Sequence, residues 1–331
     1  MNNTQPLESV SVIFIHEQQI FAVQRQPYLH AFPGYHAFPG GKIDNDESST
    51  PFETEFLCEH NTLRMRALRR EIIEELGYDL EEGINKGEVL SVNELAEALA
   101  PPFAPVRFRT WFYRVDLSKR VKFEVDSGEF ADSFWKTSAE LLETFRTGKS
   151  LMVPPTRWVL EGLQKKPQAT AFGDLSQNFA EDDRVPCLEM IEGVPQLAVR
   201  SATLPPASRT NSFMLGDLDA PKLLVDPSPN STEEYQRLLN TIQDKKLDAI
   251  FLTHHHPDHH QFSNQLARQL KLPIILSQDT QQRLTLKNGE DYFEQVELRN
   301  VVENEEVTRW HGSPVRVYEI PGHDAGHLGL A

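Results

Sequence analysis

Leu252-Thr253-His254-His255-His256-Pro257-Asp258-His259-His260 decides how the second half of this chain is read. Six potential metal ligands fall within seven consecutive positions. On an extended backbone alternate side chains share a side, so His254 and His256 point together. Asp258 and His259 come from the next turn. The spacing His254-x-His256-x-Asp258-His259 therefore lets one short segment feed two metal positions. His255 and His260 are out of ligand register and are expected to be exposed or to support the ligands. Ala249-Ile-Phe-Leu252 reads as a strand that delivers the tract at its C-terminal end.

The pattern around this strand alternates strand and helix, which predicts α/β layering. Lys222 to Asp226 and Pro273 to Leu276 read as strands. Ser231-Thr-Glu-Glu234 has the form of a capping box opening a helix to about Lys245. Val315 to Ile320 is a strand running into Pro321-Gly322-His323-Asp324-Ala325-Gly326-His327.

Together these features resemble the metallo-β-lactamase superfamily. Thr210-Asn211-Ser212 and Val225-Asp226-Pro227 are similar to its first hairpin and its structural aspartate, and Pro321 to His327 to its third motif. The resemblance implies that His254, His256 and His323 hold a first Zn²⁺. Asp258 and His259 would contribute to a second, with Asp258 also orienting water and His327 supporting the ligands. The family's bridging aspartate and its last histidine do not follow His323. The expectation is an incomplete αββα sandwich, the N-terminal part only, cut short at Leu328 to Ala331. An incompletely covered inner sheet face, self-association or a separate C-terminal fragment would follow, with at most one tightly held transition metal.

The first half carries a second constellation. Ser9 to Ile15 and Gln19 to Val23 read as strands. His30 to Gly34 and His36 to Gly40 form a near-repeat marked as loop by Pro and Gly. Met65, Leu68, Ile72 and Leu76 recur at helical spacing, with Gly77 as the stop. Glu71, Glu74 and Glu75 fall on one face beside that stripe. Crowded carboxylates suit a hard cation such as Mg²⁺ or Mn²⁺, which takes oxygen ligands and substrate phosphates. Val106 to Val115 is a strand and Ala139 to Phe145 a short helix.

Gly41-x5-Glu47 followed by Arg70-Glu71-Ile72-Ile73-Glu74-Glu75-Leu76-Gly77-Tyr78 resembles the Nudix box. One departure is plain: 22 residues, Ser48 to Arg69, separate Glu47 from Arg70 where the pattern has seven, so 15 must loop out before the helix. That insertion, Pro105 to Phe112 and Pro154-Pro155-Thr156 are similar to the coenzyme A diphosphatase branch. The resemblance implies an α/β/α sandwich hydrolysing a diphosphate. Glu74 and Glu75 would be the main metal ligands, assisted by the Gly41 carbonyl, with Glu71 as ligand or base. Arg70 would orient a glutamate, Glu47 would support the loop, and Glu129 is a candidate further carboxylate.

The expected organisation is therefore a Nudix-like domain at 1–165, a linker at 166–184, where the sequence turns polar, and a lactamase-like domain at 185–331. The first reading is a metal-dependent hydrolase of a nucleotide or coenzyme A diphosphate. The second is a zinc-dependent hydrolase of an ester, thioester or phosphodiester. The third is a non-catalytic nucleotide sensor. Composition narrows the partners. The net charge of −16 argues against binding a phosphate backbone, which needs Lys and Arg. No apolar run approaches the roughly 18 residues of a membrane span. Two cysteines give no disulfide framework, so the expectation is reduced thiols in the cytoplasm.

Overall fold

The computed structural model describes residues 5–104, 106–177 and 183–331. The chain divides into two compact units, Met1–Asn178 and Phe179–Ala331. The first contains β1 (Leu7–His16), β2 (Gln19–Arg25), β3 (His36–Ala37), α1 (Thr62–Leu76), α2 (Leu80–Asn85), β4 (Val89–Leu99) and β5 (Phe108–Leu117). It continues with β6 (Phe130–Thr137), α3 (Ser138–Arg146), α4 (Pro154–Lys165) and β7 (Gly173–Asp174). One mixed sheet runs β3-β2-β1-β5-β4-β7, with β6 also on β2. Its centre is the parallel pair β1 and β5.

Alternation along these strands sends side chains to two faces. Val10, Val12, Phe14, Val23, Tyr113 and Val115 pack with Met65, Leu68, Ile72 and Leu76 of α1. Ile13, Ile15, Ile20 and Phe112 pack on the other face against Leu141, Leu142, Phe145, Val159 and Leu160 of α3 and α4. The result is the α/β/α sandwich. The Asn61 side chain caps α1 by accepting from Arg64 N, and Gly77 ends it in the left-handed region at φ 62°.

The segment between Glu47 and α1 is held rather than looped out. Phe52 and Leu57 are buried in the α1 core. Arg66 donates from Nε and Nη2 to the Thr50 carbonyl, and its guanidinium lies 3.9 Å from the centre of the Phe52 ring. The insertion buys its place through these apolar anchors. Residues 173–174, in the stretch expected to be a linker, form β7 on β4. Residues 178–182 of that stretch, and Pro105 in the motif compared with the diphosphatase branch, lie outside the described residues.

The second unit contains β8 (Cys187–Ile191), β9 (Val194–Arg200), β10 (Arg209–Leu215), β11 (Leu223–Val225), α5 (Thr232–Ile242), β12 (Ala249–Phe251), α6 (Pro257–His260) and α7 (Ser263–Leu270). It continues with β13 (Ile274–Leu276), α8 (Gln278–Asn288), β14 (Leu298–Asn300), β15 (Glu306–Trp310), β16 (Ser313–Glu319) and β17 (Leu328–Leu330). A large sheet runs β14-β13-β12-β11-β10-β9-β8, and a small one β15-β16-β17. Helices α5, α7 and α8 bury Leu238, Leu266 and Leu284 against one face of the large sheet.

The other face is not bare. Leu223, Val225, Ala249, Phe251 and Ile275 pack against Val307, Val317 and Leu328 of the small sheet, and Leu223 and Phe251 are fully buried. Strands β15 to β17 thus supply a second β layer over the centre of the large sheet. The expected capping box is also only half formed. Ser231 accepts from Glu234 N, but the Glu234 carboxylate takes hydrogen bonds from Arg200 N and Arg237 Nη1 instead. Among the described residues no helix is long and apolar enough to cross a membrane.

His36 shows what burial does to a titrating group. It is 7% exposed, its ring lies tilted against Phe134 with ring centres 4.9 Å apart, and its Nδ1 has no hydrogen-bond partner. Burial, with Lys136 nearby, pushes its pKa down to about 4. Between about pH 6.5 and 4 the unfolded chain takes up a proton that the fold refuses. Stability from His36 is therefore complete above pH 6.5 and is lost as pH falls. From pH 7.5 to 5 the loss is about 2 kcal/mol. His36→Phe should flatten the pH dependence of denaturant unfolding by that amount. An unchanged slope would contradict the placement of His36.

Candidate metal centres in the two units

In the second unit β11, β12 and β13 are parallel. Open α/β sheets bind ligands beyond the carboxyl ends of such strands. The histidine tract lies there, directly after β12. His254 is 1% exposed. His254 Nε2 is 3.1 Å from His256 Nδ1, which is 2.9 Å from His323 Nε2. The ligand atoms of all three lie within 4.8 Å of one another. Three convergent ring nitrogens fit Zn²⁺, which takes imidazole readily and leaves a position for water in a three-ligand site.

Asp226 holds this arrangement. It sits just after β11 with φ 47° and 4% exposure. Its Oδ1 accepts from Thr253 N at 2.8 Å and its Oδ2 from Thr253 Oγ1 at 2.6 Å. Oδ2 also lies 2.8 Å from His259 Nδ1. One buried carboxylate thus fixes both the start of the tract and a ring at its end, which is how supporting residues orient metal ligands. Thr253 Oγ1 lies 2.9 Å from His254 Nδ1 and extends the chain of contacts to the ligand.

The electrostatics follow. Burial pushes His254 down to about 3, helped by the neighbouring imidazoles of His259, His327, His256 and His323. His256 and His327 are lowered for the same reasons, burial first. A neutral imidazole is the form that ligates a metal. His259 differs. Burial works against its charge, but the hydrogen bond and charge of Asp226, then Asp258, raise it.

The structure places the remaining tract residues as follows. Asp258 is partly exposed, 3.7 Å from His259 Nε2, and its carbonyl accepts a short hydrogen bond from Ser228. His259 stacks near His254, with ring centres 4.1 Å apart, but is outside the three-nitrogen group. His260 is not exposed. It is 6% accessible, with Nδ1 2.8 Å from Tyr292 Oη, and packs as a core residue. His255 is partly buried and faces Asp324, with Nδ1 to Oδ2 at 2.9 Å. The sequence left Asp324 and Tyr292 without a role. An acid directly after a ligand histidine was the signal for Asp324; nothing local marked Tyr292.

In the first unit the Gly40-Gly41 turn lies against α1. A Cβ on Gly40 would stand 2.2 Å from Val10 O, and one on Gly41 2.2 Å from Glu71 Oε1. At Gly40, where the neighbour is backbone and φ is 142°, only glycine allows this approach. Gly40 N donates to Glu75 Oε2 at 2.8 Å. The Gly41 carbonyl accepts from Val10 N and keeps a second lone pair.

The three helix glutamates are not equivalent. Glu75 is 5% exposed and burial raises it to about 9, with Glu71 and Glu129 adding to the shift. Glu71 is raised by burial, against the pull of Arg70. The Glu74 side chain is 57% exposed. Arg70 gathers the rest: Nε to Glu47 at 2.9 Å, Nη1 to Glu71 at 2.8 Å and to Glu74 at 3.2 Å, Nη2 to the Lys42 carbonyl at 2.9 Å. Among the described residues, Glu71, Glu74 and Glu75 do not form a group of ligand atoms as tight as the histidines. Arg70 Nη1 is shared between Glu71 and Glu74, and Glu75 turns to Gly40 N. Glu129 contributes charge to both Glu71 and Glu75 and pairs weakly with Arg25 at 3.8 Å. The buried Glu75 carboxylate and the glycine cradle fit a hard cation by the chemistry of their donors.

Comparison with solved structures gives matches to Nudix proteins over about half of the chain. A NUDIX hydrolase from Alicyclobacillus acidocaldarius is 20% identical, with 50% of this chain and 94% of that chain covered, at a TM-score of 0.42. A MutT NUDIX hydrolase from Burkholderia pseudomallei is 18% identical, covering 47% and 97%, at 0.33. The NUDIX domain of Shewanella oneidensis NrtR, complexed with ADP ribose, is 16% identical, covering 50% and 90%, at 0.36. A comparison with curated proteins gave no match. The part of the chain that carries the imidazole cluster, residues 205–331, matches the family model described as the metallo-beta-lactamase superfamily.

Proposed function

We propose that this chain is a metal-dependent hydrolase with a separate site in each unit, the first cleaving a diphosphate linkage in a nucleotide or coenzyme A derivative. The observation that supports the first site is the buried Glu75 carboxylate, set against the Gly40-Gly41 turn with Glu71 and Glu129 around it. Burial and the charges of Glu71 and Glu129 raise Glu75 to about 9 despite the hydrogen bond from Gly40 N, and a divalent cation beside it would favour its ionised form. Bound Mg²⁺ or Mn²⁺ would neutralise phosphate charge and activate water. Glu74, Glu75 and the Gly41 carbonyl are the proposed ligands. Glu71 is placed to ligate or to take a proton. Arg70 positions Glu71 and Glu74 through its ion pairs, and Glu47 anchors Arg70.

Changing Glu74 or Glu75 to Gln removes charge and keeps shape. Metal-dependent turnover of nucleoside diphosphate derivatives or coenzyme A should fall by orders of magnitude while the thermal transition survives. Unchanged turnover in both variants would end this assignment.

The second unit supports a zinc-dependent reaction on an ester, thioester or phosphodiester. The specific observation is the convergence of His254, His256 and His323. Zn²⁺ there would supply a nucleophilic hydroxide near neutral pH. Asp226 orients the tract, and Asp258 stands beside it to orient water. His256 lies within hydrogen-bond distance of both other ligands, so its loss opens the group at its middle. His256→Ala should lower Zn²⁺ affinity and abolish hydrolysis of thioester or phosphodiester probes, leaving diphosphate turnover intact. Thioester or phosphodiester hydrolysis equal to the parent protein's would remove the second site from the account.

A further inference from the structure

His255 lies between two ligand histidines and faces away from their shared side, yet it is not idle. Its Nδ1 is buried and makes no aligned hydrogen bond, although Asp324 Oδ2 stands only 2.9 Å away. Asp324 is 8% exposed, and its Oδ1 accepts from Gly326 N at 3.1 Å, which leaves Oδ2 aimed at His255. The His256 ring centre is 4.9 Å from that of His255. One ligand atom from each of His255, His256 and Asp324 fits within 4.8 Å of the others.

We propose that His255, His256 and Asp324 form a second divalent-cation seat, overlapping the seat of His254, His256 and His323 through the shared His256. The loop that carries Asp324 is fixed from both sides. Ser277 Oγ donates to the Gly326 carbonyl at 2.9 Å, and Leu328 N donates to the Thr253 carbonyl at 2.9 Å. The carboxylate is therefore pre-placed opposite the tract. A neutral imidazole offers one lone-pair nitrogen at a time, so His256 serves one cation at a time. The two seats are alternative positions for a single ion. Their chemistry differs: three imidazoles in one, two imidazoles and a carboxylate in the other. A carboxylate suits harder ions, so the second seat tolerates a wider range of divalent metals than the first.

The proposal rests on reading the tract as a metal centre, and zinc titration of the full chain separates the two. Zn²⁺ is competed against a chromophoric chelator for the parent protein, His323→Ala, His323→Ala/Asp324→Asn and His323→Ala/His255→Ala. The parent should bind one equivalent at this centre; none would remove the metal reading itself. His323→Ala should still bind one equivalent, about 10- to 1,000-fold more weakly. Either added substitution should weaken binding at least another 100-fold, with the metal-free unfolding midpoint within a few degrees of His323→Ala for at least one of them. Complete loss of zinc in His323→Ala, or double variants that bind as tightly as His323→Ala, would overturn the second seat.

Discussion

In each unit one ionised side chain ties together the groups that gather at the candidate site. In the second unit four imidazoles, His256, His259, His323 and His327, gather around His254, and Asp226 meets the cluster through His259. It fixes Thr253 through both backbone and hydroxyl and holds His259 by its Nδ1. In the first unit Arg70 binds Glu47, Glu71 and Glu74 together with the Lys42 carbonyl. Removing Arg70 would leave Glu47, Glu71 and Glu74 facing one another in partly buried surroundings, where repulsion is strengthened, and removing Asp226 would release Thr253 and His259.

The folds serve these two contacts. Parallel β11 and β12 end side by side, which brings Asp226 after one strand under the tract after the other. The small sheet then returns β17 to Thr253 and so carries His323 and His327 to the cluster. In the first unit β1 and the Gly40-Gly41 turn share backbone hydrogen bonds, Val10 N to Gly41 O and Val12 N to Pro39 O. That pairing presses the turn against α1, and α1 presents Glu71 and Glu75 to it. The same helix buries Leu68, Ile72 and Leu76, so core packing sets the height of the carboxylates.

Much of this was legible because its causes are local. The stripe of α1 and its Gly77 stop, the strands β1, β2 and β12, and the joint orientation of His254 and His256 follow from periodicity and cap chemistry. Residues distant in sequence decided the rest. His260 is buried because Tyr292, 32 positions on, supplies a hydroxyl. Glu234 leaves its own helix cap because Arg200 and Arg237 compete for it. The insertion after Glu47 packs because Phe52 and Leu57 find the α1 core, which no local pattern announces. Strand β6 carries Asp132, Ser133 and Lys136 and so lacks an apolar run, yet it pairs along most of β2. The ion pairs that Arg70 makes with Glu47, Glu71 and Glu74 were hidden for the same reason: Arg70 has several partners and only the fold ranks them.

The central claim is that one chain carries two chemically distinct cation centres, one of imidazole and one of carboxylate. Anomalous diffraction from crystals soaked in Zn²⁺ and Mn²⁺ together, recorded at both absorption edges, tests it most directly. The account predicts a zinc peak among His254, His256 and His323, or displaced toward Asp324, and a manganese peak among Glu74, Glu75 and the Gly41 carbonyl. Both metals at one centre only, or peaks at neither constellation, would contradict it.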